Sequence, residues 1–140
     1  MKILALSDIH GDKHLAKEMA ERAEKENVDL VLLAGDLVDD EGSVEGMVGP
    51  FRAKNLEVGL IPGNWEGMTE INFLVEKYGA KNMHGYVFKK GDVGIFGCGY
   101  GNIGPHQLSE EDVFNTLKKA HDSSTDVKKI KVYIYQGVAD

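Results

Sequence analysis

The sequence contains one cysteine, Cys98, so no disulfide can form within the chain. Such usage fits a reducing compartment, and a cytoplasmic location is the expectation. It also lacks any apolar run close to the roughly 20 residues that a membrane helix requires. The stretch from Met1 to Leu6 is too short for the apolar region of a signal peptide. Positive charge is in short supply: 16 Lys and Arg stand against 23 Asp and Glu, for a net charge of −7. Phosphate contacts need a basic surface, so no nucleic-acid-binding surface is expected. An anionic substrate held through metal ions stays open. There is no internal repeat, low-complexity tract or linker, so residues 1–140 read as a single domain.

What the chain does have is apolar runs that end in polar residues. Val31-Leu32-Leu33-Ala34 runs without alternation, as suits a parallel strand covered on both faces, and leads into Gly35-Asp36. Ile3-Leu4-Ala5-Leu6 leads into Asp8-Ile9-His10, and Leu56 to Ile61 leads into Pro62-Gly63-Asn64. Asp8 and Asp36 are 28 residues apart, as are Asp36 and Asn64. Each interval accommodates a helix and a return strand, so the spacing predicts three parallel strands with converging tips. Open α/β sheets place their chemistry at such tips.

The intervening segments fit this plan. Asp12 is placed to cap a helix carrying Leu15, Ala16, Met19, Ala20 and Ala23 on one face and ending near Asn27. Residues 41–55 hold Gly42, Gly46, Gly49 and Pro50, which predict a short or broken helix. Gly67 to Tyr78 reads as a helix closed by Gly79. A short strand follows at Lys81 to His84, and Tyr86 to Phe88 and Val93 to Phe96 flank the turn Lys89-Lys90-Gly91-Asp92. Ser109 and Asp112 form a capping box for a helix from Glu110 to about His121, and Lys131 to Tyr135 alternates as a strand. The first strand, Lys2 to Leu6, is expected at the centre of its sheet.

Asp8, His10, Asp36 and Asn64 together offer two carboxylates, an imidazole and an amide oxygen, a donor set that suits a borderline divalent metal such as Mn, Fe, Zn or Ni. Singly, each has an ordinary explanation as a cap, a turn former or a solvated loop residue. Jointly, Asp8-Ile9-His10, Gly35-Asp36-Leu37-Val38-Asp39 and Gly63-Asn64-Trp65-Glu66 resemble, in order and spacing, the first three motifs of the calcineurin-like metallophosphoesterases. The segments Asn82-Met83-His84-Gly85 and Gly97-Cys98-Gly99 are similar to a small archaeal-type branch of that family. The resemblance implies an α/β sandwich of two sheets flanked by helices, and a metal-dependent phosphoesterase acting on phosphodiesters or nucleotides. It also implies two divalent-metal sites. Asp8 and His10 would hold the first metal and Asp36 would bridge the two. Asn64 would hold the second, with Asp36 and Asn64 central to catalysis. Asp39 is read as supporting the ligands or simply as a turn carboxylate.

The chain departs from the family pattern in two places. Trp65 stands where the family usually has His, and indole cannot serve as an acid near neutral pH. Trp65 is read as a lid or core aromatic, and neighbouring Glu66 is a possible contributor. The family also continues into a strand ending in His and a Gly-His-x-His motif. Here Gln136 lies near the first position and the second motif is missing, so the domain is expected to be C-terminally incomplete, its second metal weakly held and its activity weak or absent. An unfinished sheet leaves an open edge, so a homo-oligomer is expected. His84 and His106 are possible stand-ins near the site; His14 and His121 read as surface helix residues, and Cys98 as a small buried one. The competing reading is a non-catalytic binding or scaffold protein with a degenerate site.

Overall fold

The computed structural model describes residues 1–101, 104–127 and 130–135. Along the chain these form β1 (Ile3–Leu6), α1 (Lys13–Lys25), β2 (Leu30–Ala34), α2 (Gly49–Arg52), β3 (Val58–Ile61), α3 (Met68–Tyr78), β4 (Lys81–Asn82), β5 (Val87–Lys90), β6 (Val93–Cys98), α4 (Glu110–Asp122) and β7 (Ile130–Tyr135). A four-stranded parallel sheet has the order β1-β2-β3-β4, and a three-stranded sheet has the order β5-β6-β7. In the second sheet β5 and β6 form an antiparallel hairpin, and β7 lies parallel to β6. The sheets meet after β4, where Gly97 N–H donates to the Met83 carbonyl (3.1 Å) and Gly85 N–H to the Gly97 carbonyl (2.9 Å).

The unbroken apolar run of β2 is explained by burial on both sides. Val31 and Leu33 face a core shared with Ala16, Ala20 and Ala23 of α1, Phe51 of α2, and Ile71 and Leu74 of α3. Leu30 and Leu32 face the opposite way, into a smaller core with Ile61, Met83 and Ile95. A strand of period two with helices on one side and a sheet on the other needs apolar residues at every position.

β1 departs from the expectation of a central strand. Among the described residues it lies at the edge of its sheet, paired only with β2, and its side chains alternate between exposed and half-buried. Edge and centre differ by tertiary pairing, which a four-residue apolar run does not encode. The helix ends follow local chemistry closely. The Asp12 carboxylate accepts the Leu15 N–H at 2.9 Å. Ser109 and Asp112 exchange reciprocal capping bonds (3.1 and 3.3 Å), and Gly79 closes α3 in the left-handed region.

Leu33 is fully buried at the junction of β2 and the helical layer. Leu33→Ala is expected to cost about 2–5 kcal/mol through lost burial and a residual cavity. Urea unfolding measures this, and an unchanged slope would show that the fold is otherwise retained.

Candidate metal centre

The strand pairing continues beyond the strands themselves. Past the last β1–β2 pair, Leu6 with Leu33, the Asp8 N–H donates to the Gly35 carbonyl (3.0 Å). His10 N–H then donates to the Asp36 carbonyl (3.1 Å), and Gly11 N–H to the Leu37 carbonyl (2.9 Å). The two loops are thus zipped together, which brings Asp8 and His10 beside Asp36. Each of these three residues has a positive φ: 55° at Asp8, 47° at His10 and 54° at Asp36. Left-handed backbone is uncommon for non-glycine residues, with Asp and His among the more tolerant, and costs on the order of 1–3 kcal/mol each. It turns successive side chains to the same rim.

The result is a three-residue group. One ligand atom from each of Asp8, His10 and Asp36 lies within 4.8 Å of the others, and His10 Nε2 is 3.9 Å from an Asp8 carboxylate oxygen. Asp8 and His10 are exposed, whereas Asp36 is buried. Burial holds the Asp36 carboxyl above its usual range against the opposing pull of the Trp65 N–H, and the Asp8 carboxylate pushes it in the same direction as burial.

Asn64 joins the group from the tip of β3. Its N–H donates to Asp36 Oδ1 at 3.1 Å, and the Trp65 N–H does so at 3.4 Å. One terminal atom of the Asn64 amide lies 2.9 and 3.0 Å from the two Asp36 carboxylate oxygens. With nitrogen there, the amide donates to the carboxylate; with oxygen there, two acceptors face one another, an arrangement that a shared cation stabilises. Gly63 makes this approach feasible, because a Cβ at that position would fall 2.1 Å from Asp36 Oδ1 and 2.3 Å from its backbone nitrogen.

Glu66 holds the two loops in place. Its carboxylate is fully buried and accepts Gly63 N–H at 2.7 Å through Oε1 and Leu37 N–H at 3.1 Å through Oε2. One side chain thereby ties the residue before Asn64 to the residue after Asp36. Burial raises the Glu66 pKa, opposed by these N–H donors.

The other candidates fall at different distances from this centre. Asp39 Oδ1 accepts the N–H groups of Glu41 (2.9 Å) and Ser43 (2.8 Å), closing its own turn. Its turn nevertheless lines a cleft of about 510 Å³ with His10, Val38, Asp40 and Trp65. Trp65 is 58% exposed at that cleft, which excludes a place in the core. His84 faces the neighbouring loop, where its Nδ1 accepts the Gly99 N–H at 2.9 Å and its ring meets Tyr100 edge-on at 5.1 Å. His106 N–H donates to the Asn64 carbonyl at 3.3 Å, so its loop packs on the tip of β3. Cys98 is buried. Gln136 lies outside the described residues.

The loop after β6 also docks on the tip of β3. Tyr100 N–H donates to the Pro62 carbonyl at 2.7 Å, and a Cβ on Gly99 would fall 2.3 Å from that same oxygen. The density of glycine from Gly97 to Gly101 was the available signal.

Comparisons with known proteins give the family and the fold. The family model for calcineurin-like phosphoesterases matches residues 1–134. The chain belongs to that family. The family is metal-dependent, and Asp8, His10 and Asp36 form a group able to hold a metal. The fold is similar to the crystal structure of TT1561 of Thermus thermophilus, with a TM-score of 0.75 and 16% sequence identity. The match covers 95% of this chain and 66% of that one. No curated protein matches the chain. Among the described residues, no helix is long and apolar enough to cross a membrane.

Two outcomes follow from the hydrogen bonds. Glu66→Gln leaves one N–H facing an amide NH₂ in place of an acceptor, so a loss of about 1–3 kcal/mol is expected in thermal or urea unfolding. Burial lowers the His84 pKa, with Lys119 adding to the effect. A depressed histidine pKa favours the folded state fully above its ordinary value of about 6.5, and that advantage is lost as pH falls through the folded-state value. The native chain should therefore lose more stability than His84→Gln between pH 7.5 and 5.5, as read from urea midpoints.

Proposed function

We propose that this chain is a metal-dependent phosphoesterase acting on phosphodiesters or nucleotides. Asp8, His10 and Asp36 would hold one divalent ion, and Asp36 with Asn64 a second, more weakly. The observation that carries the reading is the convergence within 4.8 Å of three ligand atoms, one each from Asp8, His10 and Asp36. The mixed oxygen and imidazole donors suit Mn, Fe, Zn or Ni.

When bound, such ions lower the pKa of coordinated water and neutralise charge building on the phosphoryl oxygens. The chain supplies the rest. Asp8 and Asp36 contribute the negative charge that draws cations to a rim where two of the three side chains stay open to solvent. The Glu66 bonds to Gly63 and Leu37 fix the separation of the Asp36 and Asn64 loops before any ligand arrives. Trp65 cannot protonate a leaving group at neutral pH, which favours esters whose leaving groups depart without that help. Asp36 and Asn64 are two ligands where the first site has three, so the second ion is expected to be the more readily lost and turnover to be slow at low metal concentration.

Mn²⁺ in the millimolar range should raise the melting midpoint by roughly 5 °C, since metal binds only the assembled site. Asp36→Asn should abolish the rise. Elemental analysis of the purified chain and turnover of bis(p-nitrophenyl) phosphate in Mn²⁺ complete the test. Stabilisation by metal without turnover would favour a binding or scaffold protein on this fold; neither effect would defeat the reading.

A further inference from the structure

We propose that Trp65 is a stacking platform for the base of a nucleotide ester, and so sets the substrate class of the site. The inference rests on the phosphoesterase reading above and adds the substrate's second recognition element.

Trp65 is the sole tryptophan in the chain and one of its most exposed large side chains, at 58%. Its backbone is not loose. The Trp65 N–H donates to Asp36 Oδ1, and the residue sits between Asn64 and the fully buried Glu66. The main chain is therefore fixed to the metal-ligand loop while the indole stays outside. Among the described residues no aromatic ring packs against the indole, and none accepts a hydrogen bond from it. An indole whose main chain is fixed to the Asp36 carboxylate offers a flat apolar face, at a set place, to whatever enters the cleft.

The cleft that Trp65 lines specifies what would cover it. Its volume of about 510 Å³ falls in the range of small-molecule sites, roughly 300–1,000 Å³. His10 at one side belongs to the metal-ligand group, so that end suits the phosphoryl group. Asp39 and Asp40 line the cleft as well. Carboxylates accept hydrogen bonds from hydroxyl and amino groups and repel a second anion. The remainder of the ligand should therefore be uncharged, rich in donors and flat: a ribose with an attached base meets all three requirements. Base-on-aromatic stacking is sequence-tolerant, because every base has a π-face.

The single tryptophan also makes the proposal measurable. Adenosine 5′-monophosphate and ribose 5-phosphate share the phosphate and sugar and differ in the base. With Zn²⁺ present and excitation at 295 nm, the nucleotide should quench the emission saturably, while ribose 5-phosphate should leave it nearly unchanged. Calorimetry should give the nucleotide roughly tenfold tighter binding. Trp65→Leu should bring its affinity down to that of ribose 5-phosphate, and Trp65→Phe should retain part of the difference. Metal-induced stabilisation should persist in both variants, showing that the metal group is intact. Equal metal-dependent binding of the two phosphates to the native chain would overturn the stacking proposal alone. So would undiminished nucleotide binding by Trp65→Leu. Binding of neither phosphate, or binding indifferent to metal, would overturn the phosphoesterase reading and the stacking proposal with it.

Discussion

The site depends on a strand that has no exposed face. β2 packs helices on one side and the second sheet on the other, and it pairs with β1 and β3 along its edges. Its register is held by ladder pairing on both edges and by the fit of each side chain in its own core. That constraint places Asp36, two residues beyond the strand, at one position in space. Asp8 and His10 are then set by main-chain bonds to the Asp36 loop, and Asn64 by its N–H bond to the Asp36 carboxylate. Packing energy in the core is thus converted into the geometry of polar groups at the rim.

The polar rim works against the core that supports it. Two carboxylates are brought close, three non-glycine residues adopt left-handed backbone, and the carboxylates of Asp36 and Glu66 are buried. Each is unfavourable alone. Glu66 lessens the conflict by satisfying two backbone donors, and a cation would lessen it by neutralising Asp8 and Asp36. Left-handed backbone and buried carboxylates thus meet at one rim of the α/β core.

Much of this was legible from residues alone, because the signals are local. Apolar runs marked β2 and β3, Asp12 and Ser109 marked helix starts, and Gly79 marked a helix end. The family membership was legible because three short motifs keep their order and spacing. Other features escaped because they depend on partners distant in sequence. The edge position of β1 is a matter of pairing. The role of Glu66 becomes visible only when Leu37 and Gly63 are brought to it. Trp65 read equally as a core or lid residue, since an indole next to a buried carboxylate gives no sign of which way it faces. The candidate ligands themselves were nameable from sequence, but the left-handed backbone that gathers them was not, since it lies at Asp and His positions where glycine would have announced it.

The zipped loops have a further consequence for how metal would exchange. Asp8, His10 and Gly11 donate their N–H groups to carbonyls of the Asp36 loop, so the ligands are held by the same kind of ladder that holds a sheet. The backbone would not have to refold around an arriving ion, so little backbone entropy would be lost. Affinity at such a centre is governed by the number and kind of donors. Replacing an ion is then a matter of ligand substitution at a standing frame, and the occupant would follow the supply of metal in its surroundings.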